Sequence, residues 1–429
     1  MFKKIPRTNL LFFGGALLVF LVIQIAISTH LLNDFWSTII RIGGVMAIVS
    51  LGLNLIYGFN GQFSLGQWGF YAIGAYTAAD ITYRWTNLNE ATGLSILLIG
   101  VLLVGGAIVY LRSLLGKIRG LDALSAFTMY FLATLVLGVL AVYLGKLVGP
   151  AVAGLLLALP SGISLQIVFV LAVIIGGILA AEVSFLFGLP VLTLGSDYFG
   201  IATLGFTIIV KVLLDNSDTM LGFAEMKGAR GMIGIPKITT WFWVFLALFI
   251  VVLVMRNLLH SSYGRAIVSV REDEIAGKAM GVDVAEYKIL AFVIGSLFAG
   301  LAGGLYAHIN GFLHPSSFNF IRSFDPMIII VLGGLGSMTG TLVASFTWAL
   351  LLEGVLRLVL PQGFETWRFV VYPLLLILIM LVRPSGLLGT YELPFLRQLL
   401  PPLKAFSKSN SNSANPESGH PVPLQEATK

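Results

Sequence analysis

Cysteine is absent from all 429 residues. That excludes disulfides, thiolate metal sites and cysteine nucleophiles, and says nothing more about compartment. Charge is scarce: 11% of the residues are charged, where a soluble protein carries about 25%. The five histidines, His30, His260, His308, His314 and His420, are scattered without metal-ligand spacing, which points to packing or polar-surface roles rather than ligation. The dipeptide Gly-Lys begins at positions 116, 145 and 277 and is never followed by Ser or Thr. The chain therefore has no Walker A loop to cradle ATP. Gly333-Gly334-x-Gly336 is not a nucleotide loop either, because no strand precedes it and no Lys follows. No nucleophile elbow and no convincing internal repeat is present.

What is abundant is apolar: 57% of the residues are hydrophobic and the mean hydropathy is +0.95. Apolar runs near twenty residues recur, which predicts an all-α, polytopic integral membrane protein. Spans are expected at about 10–27, 36–57, 94–111, 127–145, 163–189, 192–214, 241–258, 289–309, 341–358 and 369–382. Residues 151–160 and 326–338 are too short or too glycine-rich for a full span, and the second reads as a short or re-entrant segment. The total is about 10–12 transmembrane or re-entrant helices. The net charge of +6 does not indicate nucleic acid; the basic residues lie mostly in short loops and at span ends, as the positive-inside rule requires. Lys3, Lys4 and Arg7 put the N-terminus (residues 1–9) in the cytoplasm ahead of an uncleaved first helix, although Ala26 and Ser28 also form a small-x-small pair of the signal-peptide type. An even number of spans keeps both termini inside. Residues 10–259 form an N-terminal transmembrane region and 289–403 a C-terminal one. The polar tail 404–429 has almost no core-forming residues and is expected to be disordered.

Between the two regions lies a charged island, 260–288, that reads as a folded object. Ser269 with Glu272 has capping-box spacing. Glu272, Asp273 and Glu274 occupy the first turn that this cap implies, where the helix dipole favours negative charge. Gly281 stands where a left-handed residue ends a helix, and Asp283 with Glu286 repeats the capping pattern for the next one. A solvated interfacial helix and a socket for a soluble partner both fit.

Two more features stand out. Residues 54–79 place glycines among Asn54, Asn60, Gln62, Ser64 and Gln67. Close helix packing and a translocation path both fit, since broken polar backbone at membrane depth is tolerated only where it is buried or lines a cavity. Glu182 and Asp197 lie in or near spans and are functional candidates by position; Asp197, beside a polar turn, also fits a cap. The mixed-charge loop 215–240 suits the outer face.

The phrase REDEIAGKAMGVD, followed by YKILAFVIGSLFAGLAGGLYAH, resembles the coupling loop of ABC importer permeases, and specifically the LivM-type permeases of branched-chain amino acid importers. LGLNLIYGFNGQFSLGQWGFYAIGAYTAA, SDYFGIATLGFTIIVK and RPSGLLG resemble the same family, so the likeness covers about 43–79 and 188–389. The Leu-Pro that often closes the coupling pattern is missing, and KGARGMIGIP stands where a Gly-Gly-Pro-Asn-Gly-Ile-like phrase is expected.

The resemblance implies a permease without catalytic residues of its own. Arg271, Glu272, Asp273, Glu274, Ala276 and Gly281 would form the ATPase-coupling loop. Asn54, Gln62, Ser64, Gln67, Asp197 and Thr203 are candidates for the translocation path. It further implies a LivH-like sister permease, two ABC ATPase subunits that bind ATP and Mg, and a periplasmic substrate-binding protein. This chain itself would bind no cofactor and sit in the inner membrane. Branched-chain amino acids are the expected substrate, with other amino acids, urea and short amides open. An ion-driven secondary transporter and an integral membrane enzyme are the competing classes.

Overall fold

The computed structural model describes residues 7–115, 123–192, 196–219 and 224–359, together with 374, 377, 381, 386–389 and 392–393. The tail 404–429 and most of the expected span 369–382 lie outside the described residues.

Helices dominate because the apolar runs leave the backbone no partner but itself in lipid. In order they are α1 (Arg7–Ser28), α2 (Asp34–Leu53), α3 (Gln67–Leu88), α4 (Thr92–Leu115), α5 (Ala123–Leu157), α6 (Ser161–Val191), α7 (Ser196–Asp215) and α8 (Trp241–His260). Two short helices follow, α9 (Ser262–Glu272) and α10 (Glu274–Ala279), and then α11 (Val284–Asn310). The series closes with α12 (Phe324–Gly333), α13 (Met338–Trp348) and α14 (Leu356–Val359). Segments with π-helical turns, Asn54–Phe59 and Ala349–Val355, continue α2 and α13 respectively. Eight described helices are long and apolar enough to cross a bilayer. The chain is an all-α, multi-pass membrane protein.

Two expectations change. The expected span 127–145 and the first part of the stretch 151–160 are one helix, α5 (Ala123–Leu157), which runs through Pro150. Within the stretch 54–79, for which close packing and a translocation path both fit, residues from Gln67 on belong to the full-length helix α3. It lacks the hydropathy of a lipid-facing span because its neighbours are protein: nearly every residue from Gln67 to Thr82 is buried.

The core is built from α2, α3, α6 and α11, which pack on one another. α4 and α5 lie outside, presenting Leu102, Val109, Leu132 and Leu147 outward. With no hydrophobic drive between helices in lipid, association rests on close approach of small residues. The crossing of α3, α6 and α11 shows this at its tightest. Gly74 and Gly303 leave no room for a Cβ, which would run into the carbonyls of Gly300 and Tyr71, and a Cβ at Gly176 would lie 2.8 Å from the Gly74 carbonyl. At the end of the bundle away from α9 and α10, two strands, β1 (Met232–Ile233) and β2 (Phe312–Leu313), pair antiparallel and tie the 215–240 loop to the segment after α11. Arg84 reinforces that end, reaching Asp80 at 3.0 Å and Glu225 at 3.1 Å.

We expect Gly303→Ala to lower thermal stability markedly, since overpacking a tight contact costs about 1–3 kcal/mol. Gly205→Ala, whose added methyl meets nothing within 4 Å, should leave it unchanged or slightly raised. Melting of the purified variants in detergent checks the pair; equal melting temperatures would contradict the packing account.

Candidate functional site

Two non-helical connections meet at the same place. After the π-helical segment Asn54–Phe59 the chain runs without helix from 61 to 66 before α3 begins, and between α12 and α13 it turns at Gly334–Ser337. The carbonyls and amides freed at such breaks must find partners inside the protein. Asn54, fully buried, supplies several: its Nδ2 donates to the Ser337 carbonyl at 3.0 Å and to Thr341 Oγ1 at 2.9 Å, and its Oδ1 accepts from the Gly336 amide at 2.9 Å. Thr203 and Thr207 on α7 hold the other side. Thr203 Oγ1 accepts from the Leu65 amide at 3.0 Å, and Thr207 donates to the Leu65 carbonyl at 3.1 Å. Ser64 Oγ accepts from the Gly66 amide at 3.3 Å.

The RPSGLLG phrase completes the second break. The Leu387 amide donates to the Leu332 carbonyl at 2.7 Å, and Glu392 accepts from the Met338 amide at 2.5 Å and the Thr339 amide at 3.2 Å. A carboxylate on the open N-terminus of α13 is also favoured by the helix dipole. Sequence reasoning missed Glu392, which lies more than fifty residues from the amides it caps and carries no local signal.

The charged island reaches this same hub, and its local structure differs from expectation. Ser269 is not a cap. The spacing of Gly264, Ile267 and Val270, all buried, carries helix α9 straight through it, and its hydroxyl back-bonds to the Ala266 carbonyl at 2.8 Å. The caps are Ser261 for α9 and Asp273 for α10, the latter accepting from the Ile275 amide at 2.8 Å and the Ala276 amide at 3.0 Å. Glu272 therefore ends one helix instead of starting another, while Asp273 and Glu274 do open a first turn. Gly281 is left-handed (φ +84°), with the Val282 amide bonded to the Gly277 carbonyl and the Gly281 amide to that of Lys278, a Schellman ending. Asp283 caps α11 by accepting from the Glu286 amide at 3.1 Å.

Two of the island's charged side chains point back toward the breaks. Arg271 donates to the Gly58 carbonyl, its stem lies over Gly61 (φ +78°), and its guanidinium fills the space beside Gly336. Glu274 pairs with Lys288. These two, with Asn60 and Gln62, line a cleft of about 20 Å³, room for a single water. Of the residues expected for coupling, Arg271 and Glu274 thus lie beside Gln62 of those expected for a path, whereas Asp273, Ala276 and Gly281 are exposed. Asn54, Ser64 and Thr203 are committed to holding backbone. Gln62 and Gln67 are buried, and Gln62 Oε1 and both amide atoms of Gln67 have no partner in the structure. The Asp197 side chain lies outside the described residues. Glu182 is buried far along α6, against the α4 backbone at Gly105. His308 is a packed core residue, with Nδ1 2.7 Å from the Gly304 carbonyl and Nε2 2.7 Å from Thr82 Oγ1.

The outward face of the island carries apolar side chains instead. Ile275 is 82% and Met280 84% exposed, beside exposed Ala276 and Ala279.

A bundle of spanning helices, with non-helical backbone held by side chains next to a small structured element at one end, fits a membrane permease. The family model for the permease component of the branched-chain amino acid transport system matches residues 35–146 and 124–381. The chain belongs to that family. It is 30% identical over 378 residues to the high-affinity branched-chain amino acid transport system permease protein LivM of Escherichia coli, covering 80% of this chain and 68% of the relative. A LivM from Methanocaldococcus jannaschii is 28% identical over 257 residues (55% of this chain, 71% of the relative). The E. coli permease protein LivH is 29% identical over 180 residues (42% and 55%). No solved structure matches the chain.

We expect Asn54→Ala to destabilise the fold by several kcal/mol, since it strands buried partners at about 1–3 kcal/mol each. Asn87→Ala, at an exposed amide, should change little. Chemical or thermal denaturation of the two purified variants checks this, and equal stabilities would remove Asn54 from the centre of the hub.

Proposed function

We propose that this chain is the permease subunit of an ABC importer for branched-chain or related small amino acids. It forms the translocation path with a LivH-like sister permease. Two ATPase subunits, which bind the ATP and Mg, dock on α9 and α10; this chain binds no cofactor and has no catalytic role. A periplasmic binding protein delivers substrate at the opposite end, near the β1–β2 pairing. That arrangement puts α9, α10 and both chain termini in the cytoplasm of an inner-membrane protein, in keeping with the basic sequence of the N-terminus, Lys3, Lys4 and Arg7, and with Arg112, which pairs with Glu286 at the start of α11.

The observation that carries the reading is the shape of the island. α10 is a single short helix, capped at both ends, that exposes Ile275 and Met280 outward while the adjoining Arg271 grips the broken backbone at Gly58. Exposed apolar side chains on a rigid element mark an interaction surface. A partner that moves this element changes the contacts of the breaks, and coupling follows only if the partner binds the two arrangements with different free energy.

Three variants test it: Glu274→Lys, the double change Ile275→Asp with Met280→Asp, and Gly281→Val. The last forces a β-branched residue into a left-handed conformation at a cost of about 1–2 kcal/mol. We expect each to insert into the membrane at normal levels, to recover ATPase subunits at least fivefold less well on affinity purification, and to import correspondingly less. Unchanged recovery and import would remove α10 as the docking element.

A further inference from the structure

On the far side of the hub lies a polar chamber of about 260 Å³. We propose that this chamber is a transit site for the amino acid zwitterion, a substrate-binding site inside the permease itself; the inference rests on the importer reading above.

The lining chemistry carries the proposal. Charges of both signs meet there: Arg322 and Asp325, 3.3 Å apart, and one turn apart on the last described span, Glu353 and Arg357. Ile42, Val45 and Met46 of α2 make an apolar wall, and Trp68, Tyr71 and Tyr306 add aromatic surface. A zwitterion with an aliphatic side chain needs these three things: anionic groups and ring faces for the ammonium, guanidinium groups for the carboxylate, and an apolar wall for the rest. An ion pathway would not need the wall, and an apolar or lipid site would not hold four charged groups. The volume, about 260 Å³, lies below the roughly 300–1,000 Å³ of drug-sized ligand pockets, which suits one small amino acid.

The backbone is arranged for it. Glu353 sits in the second π-helical segment, Ala349–Val355. An i→i+5 turn brings residues five apart toward one side, so Trp348 and Glu353 both line the chamber, a combination that a regular α-helix would splay. Inserted π turns occur frequently at functional sites. The opposite wall is held in place by Trp68, whose Nε1 donates to the Ser317 carbonyl at 3.0 Å, and by Tyr71 stacked on Trp68 at 4.7 Å between ring centroids. Trp68 directly follows the broken segment, so the wall of the chamber and the hub gripped by Arg271 are continuous in the chain. Movement of the break therefore moves a wall of the site.

The test uses the assembled transporter with its binding protein. ATP-driven uptake of labelled L-leucine, and of other small amino acids should leucine fail, into proteoliposomes is measured first on the unaltered complex; absence of all such uptake would overturn the importer reading. With uptake present, the complex is illuminated with a diazirine analogue of leucine and the adducts are mapped. The proposal expects labelling within 306–325 and 348–357, removed by excess L-leucine and at least tenfold less well by leucinol or 4-methylpentanoate, each of which lacks one of the two charges. Labelling confined to other segments, or removed equally by either singly charged analogue, would overturn the site while leaving the importer intact. In parallel, Glu353→Gln and Arg357→Gln should lower uptake at least tenfold while the ATPase subunits still co-purify, and Leu358→Ala, exposed beside the site, should import normally. Normal uptake by both charge variants would also overturn it.

Discussion

Everything in this molecule depends on where its interrupted backbone finds hydrogen bonds. A bilayer offers none, so a chain that leaves helix between α2 and α3, and again between α12 and α13, must satisfy the freed groups from within. Asn54 does so for Gly336 and Ser337, Thr203 and Thr207 do so for Leu65, and Glu392 does so for the start of α13. The result is a polar hub enclosed by α2, α3, α7 and α11, rigid enough to be defined and short enough of helix to be moved.

The hub explains why the connecting island takes the form it does. A solvated anchor would need only charge and length. This element has two helices, three capping side chains and a Schellman turn. Arg271, placed at the last turn of α9, spans from that element to the Gly58 carbonyl. In the importer proposed above, that linkage is the route by which force applied outside the membrane reaches the backbone inside it. The glycine contacts between α3, α6 and α11 form a tightly packed body beside it.

Much of this was legible in the sequence, for stated reasons. Hydropathy located the spans because the lipid environment selects on it directly. Gly281 and Asp283 announced the ends of α10 and α11 because capping chemistry is local. α3 was harder to recognise as a helix of full length: buried against other helices, it needs no apolar surface, and Gln67, Thr77 and Asp80 hide its period. Ser269 misled because a capping box is defined by two residues, whereas the apolar spacing of Gly264, Ile267 and Val270 outweighs it over a longer window. Neither the meeting of Asn54 with Ser337, nearly three hundred residues apart, nor the capping by Glu392 has any local signature. Long-range pairing is a property of the packed bundle. The family resemblance identified the right segments without showing that they touch.

The account's central claim is that α9, α10 and the two helix breaks respond as one unit. Hydrogen exchange on the assembled transporter, with and without ATP, tests this most directly. We expect the amides of 54–66 and 333–338 to change protection together with those of 262–282, and this concerted change to disappear in Arg271→Ala while the island still responds. A wild-type complex in which 262–282 responds to ATP and the breaks stay constant would contradict the account.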